Sequence, residues 1–278
     1  MRPVPSVPPS RLSRRSTVAV LLLIALAFGT TACEDLSTRS APTPEPWPSA
    51  QILTWQIQLT GELDLDTTAD VFEFDAFTAP AEAVERLRAR GKRLICYVNA
   101  GVYEESRPDA GRFPAATLGA TAESDGRRWL DIRQWSALEP VLRDRLRLCR
   151  GKGFHAVDFD DVDGYTHVTG FPLTYDDQLR YNRRLATLAR SLGLSPGLRD
   201  DLDQAVALEP DFDFAVNEEC FVHGECARLS AFVEAGKPVF HVEYDLATDH
   251  FCPAALGLGF SSIRKSRQLD AWRIPCLP

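Results

Sequence analysis

The alternation of short apolar runs with helical patterns is the feature that most constrains the fold of this chain. Between many of the runs, apolar residues recur on one helical face, as with Leu138, Leu142 and Leu146. The eight runs occupy residues 52–59, 70–77, 93–100, 155–160, 194–199, 212–218, 238–244 and 258–266. Strands that alternate with helices build parallel sheets, and eight of them predict an α/β protein with a closed (β/α)8 barrel, the TIM barrel. An open doubly wound sheet has less support, because no glycine-rich phosphate loop follows the first run.

Residue types at the ends of the helical patterns predict where the helices begin and end. Two capping boxes are expected, Ser136 with Glu139 and Thr174 with Asp177. Glycines that follow a helical pattern and precede a strand are expected in the left-handed conformation that ends a helix. These glycines are Gly91, Gly151, Gly193 and Gly236.

The amino-terminal segment has the pattern of an export signal. Arg11, Arg14 and Arg15 precede the apolar run 18–28, which is too short to span a bilayer and ends in GTTAC (29–33). This resembles a bacterial lipoprotein signal, in which cleavage would leave Cys33 as a lipid-bearing first residue; an ordinary signal-peptidase site nearby is the alternative. We therefore predict a signal peptide over 1–32, a flexible Pro-rich linker over 33–50 and the barrel as a single domain over 51–278.

The charge balance narrows the classes of partner. Removal of residues 1–32 takes away four arginines and no acidic residue, which changes the formal charge from −8 to −12. Such acidity argues against nucleic acid and anionic lipid as partners and suits a cationic ligand. Membrane contact is expected only through the lipid, and a lone anchored barrel is expected to be a monomer.

Six cysteines besides Cys33 remain in a chain bound for an oxidising compartment, so disulfides are expected. Six cysteines allow fifteen connectivities. Proximity favours Cys220 with Cys226 and Cys252 with Cys276, and leaves Cys96 with Cys149 if strand and helix bring them together. None of the spacings is CxxC, so a zinc site has little support and no metal or cofactor is predicted.

An acidic cluster ends the fourth run. In AVDFDDVDGY (156–165) four aspartates fall within six residues, from Asp158 to Asp163. Crowded carboxylates repel one another, so their proton affinities separate and the group becomes suited to acid/base chemistry. An EF-hand calcium loop is excluded, because its glycine at position six and glutamate at position twelve are absent. A solvated acidic turn is the plain alternative.

Polar residues end the other runs as well, where a TIM barrel carries its active site. They are Gln58, Asp75, Asn99, Asp158, Asp160, Asp161, Arg199, Asp200, Asp201, Glu218, Glu243 and Lys265. Carboxylates dominate and no HExxH motif occurs, so the pattern favours glycoside hydrolysis by two carboxyl groups. His241 and Glu243 offer two metal ligands on one strand, but a third is not apparent.

With the strand ends assembled, the domain resembles glycoside hydrolase family 114, the endo-α-1,4-polygalactosaminidase family. The matching segments are WQIQLTG (55–61), ICYVNAGVYEESRPD (95–109), RWLDIR (128–133), VDGYTHVTGFPLTYDDQLRYN (162–182), GLRDDLDQ (197–204), NEECFVHGEC (217–226) and AGKPVFHVEY (235–244). The resemblance implies a (β/α)8 fold and an exported enzyme that cuts α-1,4 bonds in galactosamine-rich polysaccharide. Deacetylated galactosamine units are cations, which an acidic groove attracts.

The resemblance also implies a catalytic pair. The acid of the family's EPDN segment falls on Asp160, and the acid of its NEQC segment falls on Glu218. We expect a retaining enzyme with carboxyls about 5 to 5.5 Å apart, Asp160 as nucleophile and Glu218 as acid/base. The chain departs from EPDN by reading DFDD, with Asp158, Phe159 and Asp161 in place of glutamate, proline and asparagine. The extra charge would raise a neighbour's proton affinity, or it would mark a changed substrate or a lost activity.

Further strand-end residues are candidates for binding substrate, each with a structural alternative. Asp158 and Asp161 belong to the acidic cluster, and Asp75 and Asp201 would bind an amino or hydroxyl group or make structural salt bridges. Tyr97 would stack on a sugar or lie in the core, Tyr165 would stack from a loop, and Glu243 would bind substrate or pair with Lys265. Arg107 and Asp109 are expected to pin a loop, and Trp129 to be a packing residue.

Two classes of function follow. The first is a lipid-anchored glycosidase that acts on a cationic amino-sugar polysaccharide, and the same chemistry on another amino-sugar chain is not distinguishable from it. The second is a catalytically silent, anchored barrel that binds polysaccharide or an envelope partner. Asp160 and Glu218 favour the first, whereas the DFDD departure favours the second.

Overall fold

The structure is a computed structural model that describes residues 43–44, 46–48, 52–122 and 126–277. The predicted signal peptide over 1–32 and the lipidation residue Cys33 lie outside the described residues. The chain divides into two units, Met1–Arg39 and Ser40–Pro278, and all that follows concerns the second.

The strands of the described residues form a barrel and a small separate sheet. They are β1 (Trp55–Gln58), β2 (Val71–Asp75), β3 (Arg93–Asn99), β4 (Val102–Tyr103), β5 (Leu118–Thr121), β6 (Arg128–Leu130), β7 (Ala156–Asp160), β8 (Ser195–Arg199), β9 (Phe214–Glu218), β10 (Val239–Glu243), β11 (Ser261–Lys265) and β12 (Arg273–Pro275). The main sheet has the order β1-β2-β3-β7-β8-β9-β10-β11-β12. Its first eight strands are parallel and coincide with the eight predicted runs, so the (β/α)8 prediction is confirmed; β12 is antiparallel to β11.

Helices follow most barrel strands. They are α1 (Ala81–Ala89), α2 (Trp135–Lys152), α3 (Tyr175–Ser191), α4 (Ala205–Leu208), α5 (Cys220–His223), α6 (Ser230–Glu234) and α7 (Thr248–Gly257). None of the helices among the described residues combines the length and hydrophobicity that a bilayer crossing needs.

The predicted capping boxes and the predicted left-handed glycines at the helix ends are each confirmed in part. The Thr174 hydroxyl accepts the Asp177 N–H at 3.2 Å and the Asp177 carboxylate accepts the Thr174 N–H at 3.1 Å, a complete capping box. The Ser136 box is wrong, because the N-cap of α2 is Gln134, two residues earlier, and it makes no side-chain cap. Gly91, Gly193 and Gly236 have positive φ as predicted, whereas α2 continues through Gly151 and turns at Gly153, with φ 101°.

The side chains of the barrel strands alternate between two cores. One face packs against the helices, where Leu142 and Leu146 of α2 contribute. The other face fills the barrel, where Trp55, Phe214 and Phe240 pack together. Gly197 on β8 makes room for this layer, because a Cβ there would lie 2.2 Å from the Phe214 ring. The filled interior is apolar at the amino ends of the strands.

Trp47 covers this apolar end of the barrel. Its ring lies 5.0 Å from the Phe214 ring and 5.6 Å from the Phe240 ring, and the Arg93 guanidinium lies over it at 4.8 Å. Arg93 Nη2 also donates to the Pro46 carbonyl at 2.6 Å. The described part of the predicted linker therefore packs on the amino ends of the strands.

Three disulfides join the six predicted cysteines in the predicted pairs. Cys96–Cys149 ties β3 to α2, Cys220–Cys226 closes the loop after β9, and Cys252–Cys276 ties α7 to the residue after β12. Cys220, Cys226 and His241 form one close group of potential metal ligands among the described residues. Both sulfurs are consumed in the disulfide, so the group does not have the thiolates that a zinc site needs.

A three-stranded antiparallel sheet, β4-β6-β5, stands between β3 and α2 and was not predicted. Its strands span two to four residues, which is too short for alternation to mark them. The loop beside it is pinned as expected: Arg107 binds Asp75 and Glu104, and Asp109 binds Arg145 at 2.8 Å.

We expect Trp47→Ala to lower the free energy of unfolding by about 2 kcal/mol, because it removes a half-buried ring from the barrel end. Urea unfolding of the domain followed by circular dichroism measures the change. Trp272→Ala is the control, since the Trp272 side chain is 46% exposed and its removal should cost less than about 1 kcal/mol. Equal losses in the two variants would show that Trp47 does not stabilise the barrel.

Candidate active site

A buried arginine lies at the carboxyl end of the barrel. Arg199 ends β8, between β7 and β9, and its side chain is 2% exposed. Its guanidinium lies 2.7 Å from Glu73 Oε1, 2.5 Å from Asp158 Oδ2 and 2.5 Å from Glu218 Oε1. Its Nε lies 3.9 Å from Asp160 Oδ1. One cation therefore faces four carboxyl groups.

Asp160 ends β7 with both carboxyl oxygens held. Oδ2 accepts the Tyr97 hydroxyl at 2.5 Å, and Oδ1 accepts the Asp161 N–H at 2.8 Å. The side chain is 23% exposed, so a carboxyl fixed by these two donors faces the barrel mouth.

Glu218 ends β9 on the other side of Arg199 and is 27% exposed. Its carboxyl is hydrogen-bonded by the Tyr244 hydroxyl, and its backbone N–H donates to Asp200 Oδ1 at 2.9 Å. Burial raises the pKa of Glu218, Arg199 lowers it and Asp160 raises it, with a net shift upward. Glu218 therefore keeps a proton to higher pH than an ordinary glutamate.

The backbone turns sharply after each of the three central strands. Asp161, Asp200 and Glu219 follow β7, β8 and β9 directly, with φ of 56°, 58° and 61°. Aspartate tolerates this left-handed conformation better than most residues. Gly101 packs against the first turn, where a Cβ would lie 1.5 Å from the Asp161 carbonyl oxygen. These turns keep Asp160 and Glu218 at the mouth.

Two cavities flank the pair. The larger, of about 290 Å³, is lined by Glu218 and by Tyr165, Asp201 and Asn217, and the smaller, of about 170 Å³, by Asp160, Asp161, Trp129, His167 and Arg199. Asp163 and Asp200 line both. The Trp129 and His167 rings stack at 4.7 Å on the smaller side. The two cavities adjoin, and the Glu218 carboxyl lines the larger one and the Asp160 carboxyl the smaller one.

Two further carboxyls at these cavities have raised pKa values. Burial, with the Asp160 charge, raises the pKa of Asp161 to about 8, against hydrogen bonding by Asn99 and attraction by Arg127. Burial, with the Asp163 charge, raises the pKa of Asp201 to about 8. Asp201 accepts from Asn182 Nδ2 at 2.8 Å.

The structure brings five of the predicted site residues to the walls of the two cavities: Asp160, Glu218, Asp161, Tyr165 and Asp201. Four other predictions of substrate contact need correction.

Asp75 and Tyr97 are occupied by the protein itself. Asp75 Oδ2 binds Arg107 at 2.6 Å, and its Oδ1 accepts the N–H groups of Phe77 and Thr78, so the salt-bridge alternative is the one that holds. Tyr97 is 7% exposed and points its hydroxyl at Asp160. Tyr97 holds the carboxyl that it neighbours and does not offer a stacking face.

Asp158 and Glu243 have no exposed surface and cannot touch substrate in this structure. Asp158 binds Arg199. Glu243 faces the helices, where Oε1 accepts the Phe221 N–H at 2.9 Å and lies 3.1 Å from His241 Nε2. The expected pair with Lys265 is absent among the described residues: Lys265 Nζ lies 3.0 Å from Gln56 Oε1.

Sequence reasoning missed Glu73, Tyr244 and the role of Arg199. A signal for Glu73 exists in VFEFD, where one glutamate stands between two phenylalanines on a buried strand. Trp129, predicted as a packing residue, is 6% exposed and also lines a cavity. Its position in the segment RWLDIR does not indicate this second role.

The arrangement suits two-carboxyl chemistry. The Asp160 carboxyl accepts two hydrogen bonds from the protein, and the Glu218 carboxyl has a raised pKa and is partly exposed. Neighbouring carboxyls whose environments separate their proton affinities are the pattern of an acid/base and nucleophile pair.

Comparisons with known proteins agree with this chemistry. A model of glycoside hydrolase family GH114 matches residues 36–277. The crystal structure of Ega3 from Aspergillus fumigatus, in complex with galactosamine, is 31% identical over 85% of this chain and 99% of that one, with a TM-score of 0.79. The glycoside hydrolase domain of PelA from Pseudomonas aeruginosa is 14% identical over 80% of this chain and 97% of that one, with a TM-score of 0.63, a likeness of fold. A comparison with curated protein sequences finds no significant match.

The fold and the paired carboxyls define a TIM-barrel glycosidase. The chain belongs to glycoside hydrolase family GH114.

We expect Asp161→Asn to stabilise the protein at alkaline pH. An acid whose pKa is raised on folding contributes stability that is present below its unfolded pKa, near 4, and is lost as the pH rises through about 8. Asparagine has no proton to lose and also suits the left-handed backbone at this position. The variant should differ little from the parent at pH 5 and be more stable at pH 9 by more than about 1 kcal/mol, because each unit of raised pKa corresponds to about 1.4 kcal/mol.

Urea midpoints at both pH values measure this difference. Asp66→Asn is the matched control, because the Asp66 side chain is 79% exposed and water already solvates its charge. The interpretation of Asp161 is wrong if its variant shows the same pH dependence as the parent.

Proposed function

We propose that this protein is an exported, lipid-anchored glycosidase that cuts α-1,4-galactosaminidic bonds within galactosamine-rich polysaccharide and retains anomeric configuration. The observation that carries the proposal is the placement of Asp160 and Glu218 on two sides of the Arg199 guanidinium, both partly exposed at the barrel mouth. The galactosamine in the Ega3 crystals supports an amino sugar as substrate, at 31% identity over nearly all of that chain.

In this mechanism Asp160 attacks the anomeric carbon while Glu218 donates its proton to the leaving oxygen. Tyr97 and the Asp161 N–H hold the attacking carboxylate in position. Loss of its proton makes Glu218 the base that activates water in the second step. The raised pKa of Glu218 supports the acid role, and the donors to Asp160 support the role of nucleophile.

Substrate contacts are proposed for the residues that line the cavities. Asp161, Tyr165 and Asp201 lie beside the pair, and the larger cavity is lined by six carboxyl side chains against one cation, Arg228, an excess of acids that favours a cationic sugar. The six are Asp163, Asp200, Asp201, Asp203, Glu218 and Glu225.

The alternative of a catalytically silent barrel rests on the DFDD departure. In the structure Asp158 binds Arg199, Phe159 is buried in the outer core, and the amide of Asn99 donates to Asp161. The side chains of all three departing residues therefore have partners in the protein, and Asp160 keeps its place at the mouth. This favours the enzyme.

Mass spectrometry of the products tests the activity. The domain from residue 34 to 278 is incubated with partly deacetylated galactosaminogalactan, beside Asp160→Asn and Glu218→Gln. We expect short oligomers from the parent and a loss of at least about 10³-fold in either variant, because each removes a group that acts in the transition state.

The controls are Asp211→Asn, in an exposed pair with Arg183, and Glu234→Gln at the exposed end of α6; both should keep parental rates. Retention of the polymer without cleavage by the parent would favour the silent barrel. Neither cleavage nor retention would contradict the substrate.

Anchoring through Cys33 has a separate test. The three disulfides support export to an oxidising compartment, and the signal pattern supports lipidation. The parent expressed in bacteria fed a labelled fatty acid should carry the label and sediment with membranes, and Cys33→Ala should not. Label in both proteins, or in neither, would contradict the anchor.

A further inference from the structure

Arg199 has two fully buried carboxyl partners besides the exposed pair. Glu73 of β2 and Asp158 of β7 are both 0% exposed. Glu73 Oε1 lies 2.7 Å from Nη2, and Asp158 Oδ2 lies 2.6 Å from Nε and 2.5 Å from Nη2. Two ionised carboxylates beside one guanidinium, away from water, would leave an unbalanced buried negative charge, which is costly.

The unpaired oxygens of Glu73 and Asp158 also argue against two ionised carboxylates at this place. Glu73 Oε2 and Asp158 Oδ1 are buried, and neither meets an N–H or O–H donor among the described residues. The two carboxyls are nevertheless neighbours, because both bind the same Arg199 Nη2, Glu73 Oε1 at 2.7 Å and Asp158 Oδ2 at 2.5 Å. Two carboxylates have no hydrogen to share, so a hydrogen bond between them requires one proton.

We propose that Glu73 and Asp158 share one buried proton, so that together they carry a single negative charge and act as a positioning pair that holds Arg199 between Asp160 and Glu218. The proton remains with the pair through the reaction and no bond to substrate is made. The consequence for Glu218 rests on the proposed function; the shared proton does not.

The other charged and titratable groups around Arg199 fit this assignment. Asp160 and Glu218 face it from β7 and β9, and Asp200 stands beside Glu218 with a pKa raised by burial and by the Glu218 charge. Tyr97 lies under the guanidinium at 5.3 Å and Tyr244 binds Glu218. All the titratable neighbours are acids, so a further buried negative charge would be repelled from every side.

Burial also raises the pKa of Glu73 well above its ordinary value, and the Asp158 charge raises it further while Arg199 lowers it. Burial raises the pKa of Asp158 as well, and Arg199 lowers it. Asp158 makes two contacts with the guanidinium, whereas Glu73 makes one. The proton therefore resides mainly on Glu73, although its titration belongs to the pair.

Amide variants separate a shared proton from two ionised carboxylates. In Glu73→Gln the amide oxygen can accept from Arg199 and the amide N–H can donate to Asp158, which reproduces the protonated carboxyl. In Asp158→Asn the remaining Glu73 becomes the buried counter-charge and ionises. Each single variant thus keeps one negative charge beside Arg199, and only the double variant removes it.

Proton release on unfolding tests the pair without any assay of activity. Calorimetry at neutral pH, in buffers of different ionisation enthalpy, counts the protons released. The folded parent holds a proton that the unfolded chain does not, so each single variant should release about one proton fewer than the parent. Asp131→Asn is the control, because Arg133 lowers the Asp131 pKa and that carboxyl is ionised in both states. Equal proton release in the parent and in Glu73→Gln would overturn the proposal.

The pH profile of kcat/KM tests the effect on Glu218. The alkaline limb should move by less than about 0.3 pH unit in each single variant and by more than about 1 unit to lower pH in the double variant, since an unbalanced Arg199 favours ionised Glu218. A shift of more than about 1 unit in Glu73→Gln alone would show that both carboxyls are ionised. If the parent cleaves nothing, the proton count still decides the pair, and if the double variant does not fold, the single variants decide it.

Discussion

The buried guanidinium of Arg199 is the interaction on which the mouth of this barrel depends. Removing a charge from water costs several kcal/mol, so Arg199 is stable only where carboxyl oxygens surround it. Four such groups do so, from β2, β7 and β9. Arginine suits this place because its planar fork binds several oxygens in fixed directions at once, which a lysine does not. The contacts that stabilise the buried charge of Arg199 also hold Asp160 and Glu218 in position.

The barrel divides this work between its two ends. Aromatic residues, with Trp47 beneath them, fill the amino end, whereas charged residues occupy the carboxyl end. Strand alternation keeps both sets inside the barrel, because residues two apart on a strand share a face. Left-handed residues directly after β7, β8 and β9 then turn the chain outward, so that Asp160 and Glu218 stand at the edge of the cavities. A rigid interior thus supports an open site.

Much of this organisation was predictable from local pattern. The eight strands follow from apolar runs and helix ends, and two of the disulfide pairs follow from proximity along the chain, which leaves Cys96 with Cys149 as the third. The alternation of side chains along β10 would also have predicted the orientation of Glu243. Val242 and Tyr244 face the barrel interior, so Glu243 between them faces the helices.

The remaining residues depend on contacts that the local sequence does not encode. Asp75 is taken by Arg107, whose loop lies 32 residues further along the chain, and Glu73 meets Arg199 only when β2 and β8 enclose the same interior. The small sheet was not predicted because its strands of two to four residues are too short to show an alternating pattern. Sequence pattern therefore placed the strand ends, whereas long-range packing decided which polar residues became support and which stayed open to a ligand.

The central claim is that Asp160 forms a bond to the sugar while Glu218 supplies and removes the proton. The most direct measurement is the intact mass of Glu218→Gln after incubation with an α-galactosaminyl fluoride, whose leaving group needs no acid, followed by peptide mapping. The account predicts a galactosaminyl adduct on the peptide that contains Asp160, because the second step lacks its base. No adduct together with an inverted product, or an adduct on another carboxyl, would contradict it.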